Sequence, residues 1–256
     1  MIEPVLSEHN IATFTYGDGP LLAMLHGFTQ TASSWNPAIR DLSSHYTCVA
    51  VDMPGHGHTP DATRSLTQCA TDIAETVGPA TYIGYSFGAR VALHIALNHP
   101  QACKRLVLIS GTAGIDDENQ RAERRNDDEL LGEYILETGM NRFINEWLSQ
   151  PMFSGLPPEF AYIDERKQNL PEDMADSLRY AGTGTQEPLW SRLSDLQMPV
   201  LIVAGEKDAK FTALAERMHS LIPTSTLEVM SDVGHTVHLE DVHKFCDCLR
   251  DWLSRT

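Results

Sequence analysis

The chain has 256 residues, 42% of them hydrophobic and 21% charged, with a formal net charge of −16. A length of this order buries one sizeable core, so one domain carrying an insertion is expected. The carboxylate excess, with no lysine- or arginine-rich stripe, argues against nucleic acid as a partner, because phosphate binding needs a positive footprint.

The opening residues MIEPVLSEHNIATF place no basic region ahead of an apolar core. No apolar run reaches the roughly 18–20 residues that span a bilayer. A soluble, cytoplasmic protein without membrane segment or secretion signal is therefore expected. Short apolar runs follow at Leu21–Leu25, Thr47–Val51 and Thr81–Ile83. They read as strands buried on both faces. The first runs into Leu25-His26-Gly27-Phe28, and the second into Asp52-Met53-Pro54-Gly55-His56-Gly57, read as a turn without chemistry. The third meets Gly84-Tyr85-Ser86-Phe87-Gly88, after which Val91 to Leu97 read as a buried helix. Leu106–Ile109 is a fourth strand. Between Thr112 and Pro188 the rhythm breaks into helical patterns near 119–138, 140–149, 157–169 and 171–181. Strands resume at Val200–Ala204 and Ser225–Val229. This order predicts an α/β fold with a mostly parallel sheet flanked by helices. Its core is 1–111 and 189–256, and 112–188 form an inserted helical cap.

Cys48, Cys69, Cys103, Cys246 and Cys248 form no CxxC pair and have no histidine companions at metal spacing. Reduced thiols are expected. No Walker lysine loop, dinucleotide fingerprint or ligand set implies a metal or an organic cofactor. A monomer or small homo-oligomer is all that the pattern supports.

A serine at a strand–helix junction, flanked by glycines two residues away, occupies a strained turn in which small neighbours let the backbone pack closely. To react it needs a general base, and the base needs an orienting acid. The strand at 200–204 leads into Gly205-Glu206-Lys207-Asp208, and the strand at 225–229 into Ser231-Asp232-Val233-Gly234-His235. Both loops leave the edge of a parallel sheet at which Ser86 is expected, the edge where ligands bind in such sheets. Glu206 and Asp232 compete with Asp208 as the acid, and His238 competes with His235 as the base. Phe28 N–H and Phe87 N–H are the candidate oxyanion donors, the latter at a helix N-terminus. His26 is read as holding the loop.

These pieces together resemble the α/β hydrolase family over essentially the whole chain, and Ser86 excludes that fold's aspartate nucleophiles. The fold hosts many chemistries. Arg90 lies one turn past Ser86 in an otherwise apolar helix, where a charge must be partnered or functional. On composition alone, Gln120–Arg125 is a solvated helix laced with pairs such as Arg124–Asp128 and Arg125–Glu129.

A narrower resemblance covers four segments: Tyr85–Arg90, Gln120–Arg124, Trp147–Phe153 and Gly205–Phe211. They are similar to the 2-succinyl-6-hydroxy-2,4-cyclohexadiene-1-carboxylate (SHCHC) synthases of menaquinone biosynthesis. The resemblance implies a lyase that eliminates pyruvate from 2-succinyl-5-enolpyruvyl-6-hydroxy-3-cyclohexene-1-carboxylate. In it Ser86, His235 and Asp208 serve as a base, and the Phe28 and Phe87 N–H groups stabilise an enolate. Arg90, Arg124 and Arg166 match family positions that bind anionic groups, and Tyr85, Trp147 and Phe153 match pocket positions. The implied partner is a small anionic substrate with several carboxylates. A carboxylesterase or C–C hydrolase is the alternative enzyme. A receptor keeping the fold would have little need of Ser86, Asp208 and His235 together.

Overall fold

The computed structural model describes residues 3–256. Its strands are β1 (Val5–Leu6), β2 (Ala12–Tyr16), β3 (Leu21–Leu25), β4 (Thr47–Val51), β5 (Ala80–Tyr85), β6 (Cys103–Ile109), β7 (Val200–Gly205) and β8 (Ser225–Met230). They form one sheet in the order β1-β2-β4-β3-β5-β6-β7-β8. From β4 through β8 every pairing is parallel, while β1 and β2 join the edge antiparallel.

Apolar runs without alternation arise because both faces are covered. Successive side chains of a strand point to opposite faces. Ala23 and Leu25 accordingly pack into one core, and Leu22 and Met24 into the other. The first core receives Ile73 of α2 (Leu66–Val77), Val91 of α3 (Phe87–Asn98) and Met218 of α7 (Ala209–Leu221). The second receives Leu42 of α1 (Asn36–Leu42) and Phe245, Leu249 and Trp252 of α9 (Val242–Arg255). The spacing of those last residues puts one apolar stripe on α9.

Two strands escaped the sequence reading. In β2 only Ala12 is buried, and both residues of β1 are exposed. Such an edge ribbon offers no apolar run to read.

Between β6 and β7 lie α4 (Glu118–Leu148), α5 (Ile163–Lys167) and α6 (Pro171–Ala181), with no strand among the described residues. The expected break between two helices falls at Gly139, whose φ of 72° and ψ of 165° are non-helical inside α4. The expected helix over 157–169 is instead a 3-10 turn at Pro158–Phe160 followed by α5, with Tyr162 left-handed between them. Tyr162, with φ 49° and ψ 46°, takes the backbone out of the right-handed helical region and so keeps the two segments from joining into one helix. Ile135, Phe143, Ile144, Met174 and Leu178 bind α4 to α6 in a separate cluster. No helix among the described residues is long and apolar enough to cross a membrane.

Candidate active site

The carboxyl ends of the parallel strands bring the candidate residues together. Ser86 follows β5 directly, with φ 51° and ψ −103°, a conformation that costs an L-residue free energy. Its flanks explain the two glycines. A Cβ on Gly84 would sit 2.3 Å from the Gly88 carbonyl oxygen, and one on Gly88 would sit 2.2 Å from the Leu25 carbonyl oxygen. Neither contact is possible, so this turn exists only with glycine at both places.

His235 enters from the loop after β8. Its Nδ1 lies 2.6 Å from Asp208 Oδ2 and its Nε2 lies 3.3 Å from Ser86 Oγ. A carboxylate can only accept, so Nδ1 carries the proton and Nε2 is free to take one. Burial works to raise the Asp208 pKa, but the His235 hydrogen bond and charge and the Phe211 N–H outweigh it and hold it below its ordinary value. Glu240, in α8 (Val237–Glu240), fixes the histidine loop by accepting from Gly234 N at 2.7 Å and Thr236 N at 3.0 Å. The Ser110 hydroxyl donates to the His235 carbonyl at 2.8 Å.

The competing groups sit elsewhere. Glu206 accepts from Asp232 N at 3.1 Å on the exposed surface. His238 is fully buried between Trp35 and Tyr85, and neither of its ring nitrogens has a hydrogen-bond partner among the described residues. Burial pushes its pKa down to about 3.

In the turn after β3, Gly27 N–H donates to Gln30 Oε1 at 2.9 Å and Thr29 N–H to His56 Nε2 at 3.3 Å. Gln30 N–H reaches Gly27 O at 3.1 Å, whereas Phe28 N–H has no partner among the described residues. Across the gap, Ser86 N–H goes to Ile109 O and Gly88 N–H to His26 O, while Phe87 N–H is likewise unengaged. His26 does hold the loop: Nδ1 bonds Gly27 O at 2.8 Å, and Nε2 accepts from Met53 N at 3.0 Å.

A cavity of about 390 Å³ opens over Ser86 and His235, walled by Phe28, Phe87, Trp147 and Phe211 and by the cations Arg90, Arg124 and Lys210. Arg90 is 8% exposed and donates to Ala181 O at 2.8 Å, with no carboxylate in ion-pair range among the described residues. Burial, then the neighbouring Arg124, lowers its pKa to about 10, so it stays charged at neutral pH. Arg124 does pair with Asp128 at 2.8 Å. Arg125 pairs with Glu118 at 2.9 Å instead of with Glu129, which takes Arg179 from α6.

Three expected pocket residues do not line this cavity. Tyr85 is buried beneath it, its ring 5.4 Å from that of His235 and 4.5 Å from that of His238. Phe153 packs against Trp147 at 5.8 Å, a layer back from the wall. Arg166 is 1% exposed and donates through Nε to Ala161 O at 2.7 Å and through Nη1 to the Thr29 hydroxyl.

Residues 22–247 match the model of the alpha/beta hydrolase family. The chain belongs to that family. Among its relatives, a Bacillus subtilis protein assigned provisionally as a 2-succinyl-6-hydroxy-2,4-cyclohexadiene-1-carboxylate synthase is 33% identical, over 90% of this chain and 89% of its own length. The enzyme of that name from Salmonella newport is 30% identical, over 90% of this chain and 92% of its own. The structure of MenH from S. aureus superposes with a TM-score of 0.89 at 32% identity, covering 95% of this chain and 98% of that one.

In this alpha/beta hydrolase the sequence alone assigned no role to Lys210, Thr29, His56 and Asn169. Lys210 lies within the Gly205–Phe211 segment of the resemblance, and its place on the cavity wall follows from its position two residues past Asp208. The other three carry no local signal, because their contacts join parts of the chain more than 25 residues apart.

Proposed function

We propose that this chain is an SHCHC synthase, a carbon–oxygen lyase of menaquinone biosynthesis, with Ser86, His235 and Asp208 as its base. The observation that carries this reading is the pairing of a serine–imidazole–carboxylate relay with Arg90, Arg124 and Lys210 around one cavity. A neutral ester needs no such cations. A substrate with several carboxylates does, the more so in a chain of net charge −16. Planar guanidiniums suit bidentate carboxylate binding.

The step balances within these groups. His235 Nε2 takes the Ser86 proton as Ser86 Oγ takes the proton next to the succinyl carbonyl. The electron pair left behind forms an enolate, whose oxygen faces Phe28 N–H and Phe87 N–H. It then shifts the ring double bond and breaks the bond to the enolpyruvyl oxygen. The departing enolate of pyruvate receives the proton back. Oxyanion donors of this kind are each worth about 10²–10³ in rate. The five free cysteines accord with a cytoplasmic enzyme.

Pyruvate release from the precursor made in situ, against its slow spontaneous loss, tests the reading. The wild type should accelerate release and Ser86→Ala should abolish the acceleration. Poor turnover of this substrate with a product burst from p-nitrophenyl esters would assign a carboxylesterase instead.

A further inference from the structure

We infer that Arg166 and Asn169 are positioning residues that hold the Phe28 N–H through Thr29, and are not grips on the substrate. The inference rests on the functional reading above, in which that N–H serves an enolate.

Thr29 has a φ of 67°. A β-branched residue is rarely found in the left-handed region and stays there only when its surroundings over-determine it. They do so here at every polar atom. The Arg166 guanidinium donates to the hydroxyl. Asn169 Nδ2 donates to the Thr29 carbonyl at 2.8 Å, while its Oδ1 accepts from Gly57 N at 2.9 Å. His56 Nε2 accepts the Thr29 N–H at 3.3 Å. His56 Nδ1 lies 3.0 Å from Pro54 O, a pure acceptor, so Nδ1 carries the proton and Nε2 is bare. None of Thr29, His56, Arg166 and Asn169 is more than 5% exposed. The turn's remaining free donor, Phe28 N–H, is thus aimed by side chains that lie 27 to 140 residues further along the chain.

Arg166 has spent Nε on Ala161 O and Nη1 on Thr29, and it is absent from the wall that Arg90 and Arg124 share. A residue acting through the donor changes the transition state and leaves ground-state binding alone. A carboxylate grip changes substrate binding first.

The test is steady-state pyruvate release by Thr29→Val, which is isosteric but lacks the hydroxyl, by Thr29→Ser, which keeps it, and by Arg166→Lys. We expect kcat to fall about 10–100-fold in Thr29→Val and Arg166→Lys with KM within about twofold of wild type, since a displaced donor loses at most the value of a deleted one. Thr29→Ser should recover most of the loss. A KM raised tenfold or more at unchanged kcat in Arg166→Lys, or an unchanged kcat in Thr29→Val, would overturn the inference. Thermal melts establish that each variant folds, and Arg166→Lys alone decides if Thr29→Val does not. Should the wild type fail to release pyruvate, the functional reading falls separately. The same kcat loss is then read in p-nitrophenyl ester hydrolysis, whose tetrahedral intermediate uses the same donors.

Discussion

In the proposed reaction Arg124 combines a structural and a functional role on the cavity wall. Its Nε holds Asp128, a 3% exposed carboxylate that also accepts from Gly184 N at 3.3 Å. Under the proposed function, removing the guanidinium takes away a substrate contact, and it leaves a buried charge without its partner. Arg124→Ala is expected to lower kcat/KM by about 2–5 kcal/mol of transition-state binding and to lower stability as well. Adding Asp128→Asn should restore the melting temperature without restoring kcat/KM. Restoration of both would reduce Arg124 to a structural ion pair. At this scale the sequence spoke through local motifs. Ser86, Asp208 and His235 each followed a strand and were legible for that reason. Arg166 was reached through the resemblance alone, and its side-chain partner, Thr29, comes from a distant turn that no local pattern displays.

Among the elements, α4 carries both Arg124 and Trp147 and bends between them at Gly139. A φ of 72° with a ψ of 165° is a region that only glycine enters readily. A Cβ there would meet nothing within 4 Å, so the cost of Gly139→Ala is backbone strain alone. That substitution is expected to cost about 1–3 kcal/mol in urea denaturation and to raise KM, because straightening α4 moves Trp147 against Arg124. Unchanged stability and KM would mean that the bend has no role in shaping the cavity. The bend was legible because glycine interrupts a helical pattern. The edge strands β1 and β2 were not, since a strand pairing along one edge with little burial needs no apolar run. The fragmentation of 157–169 was hidden for another reason: the left-handed Tyr162 has nothing in its residue type that demands it.

For the whole molecule, four buried histidines couple the fold to pH. His26, His56, His94 and His238 are all at most 6% exposed. Burial drives their pKa values down, to about 4 for His56 and His94, about 3 for His238 and well below the ordinary value for His26, where the nearby His56 adds to the effect. Between the folded values and about 6.5 the unfolded chain binds more protons than the folded one, so falling pH favours unfolding. His56, His94 and His238 each remove about 1 kcal/mol by pH 5.5, a sizeable share of the ~5–15 kcal/mol typical of a domain, and His26 acts in the same direction. The urea midpoint should fall steadily from pH 6.5 towards pH 5, and His238→Phe should flatten that slope by about one proton. A midpoint independent of pH over that range would contradict the buried, neutral assignment. The α/β architecture itself was readable from the alternation of apolar runs and helical patterns, because sheets covered on both faces leave that mark. Of the cations in the cavity, Arg90 and Arg124 were reached only through the family resemblance and Lys210 was given no role, because α3, α4 and α7 converge only in three dimensions.

In the proposed step the Ser86 oxygen removes a proton and never bonds to carbon. Enzyme in excess over the enolpyruvyl substrate, quenched in acid through a single turnover and weighed intact, tests this directly. The unmodified mass should persist at every time while pyruvate appears at the catalytic rate. An adduct on the Ser86 peptide that forms and decays at the rate of pyruvate release would contradict it.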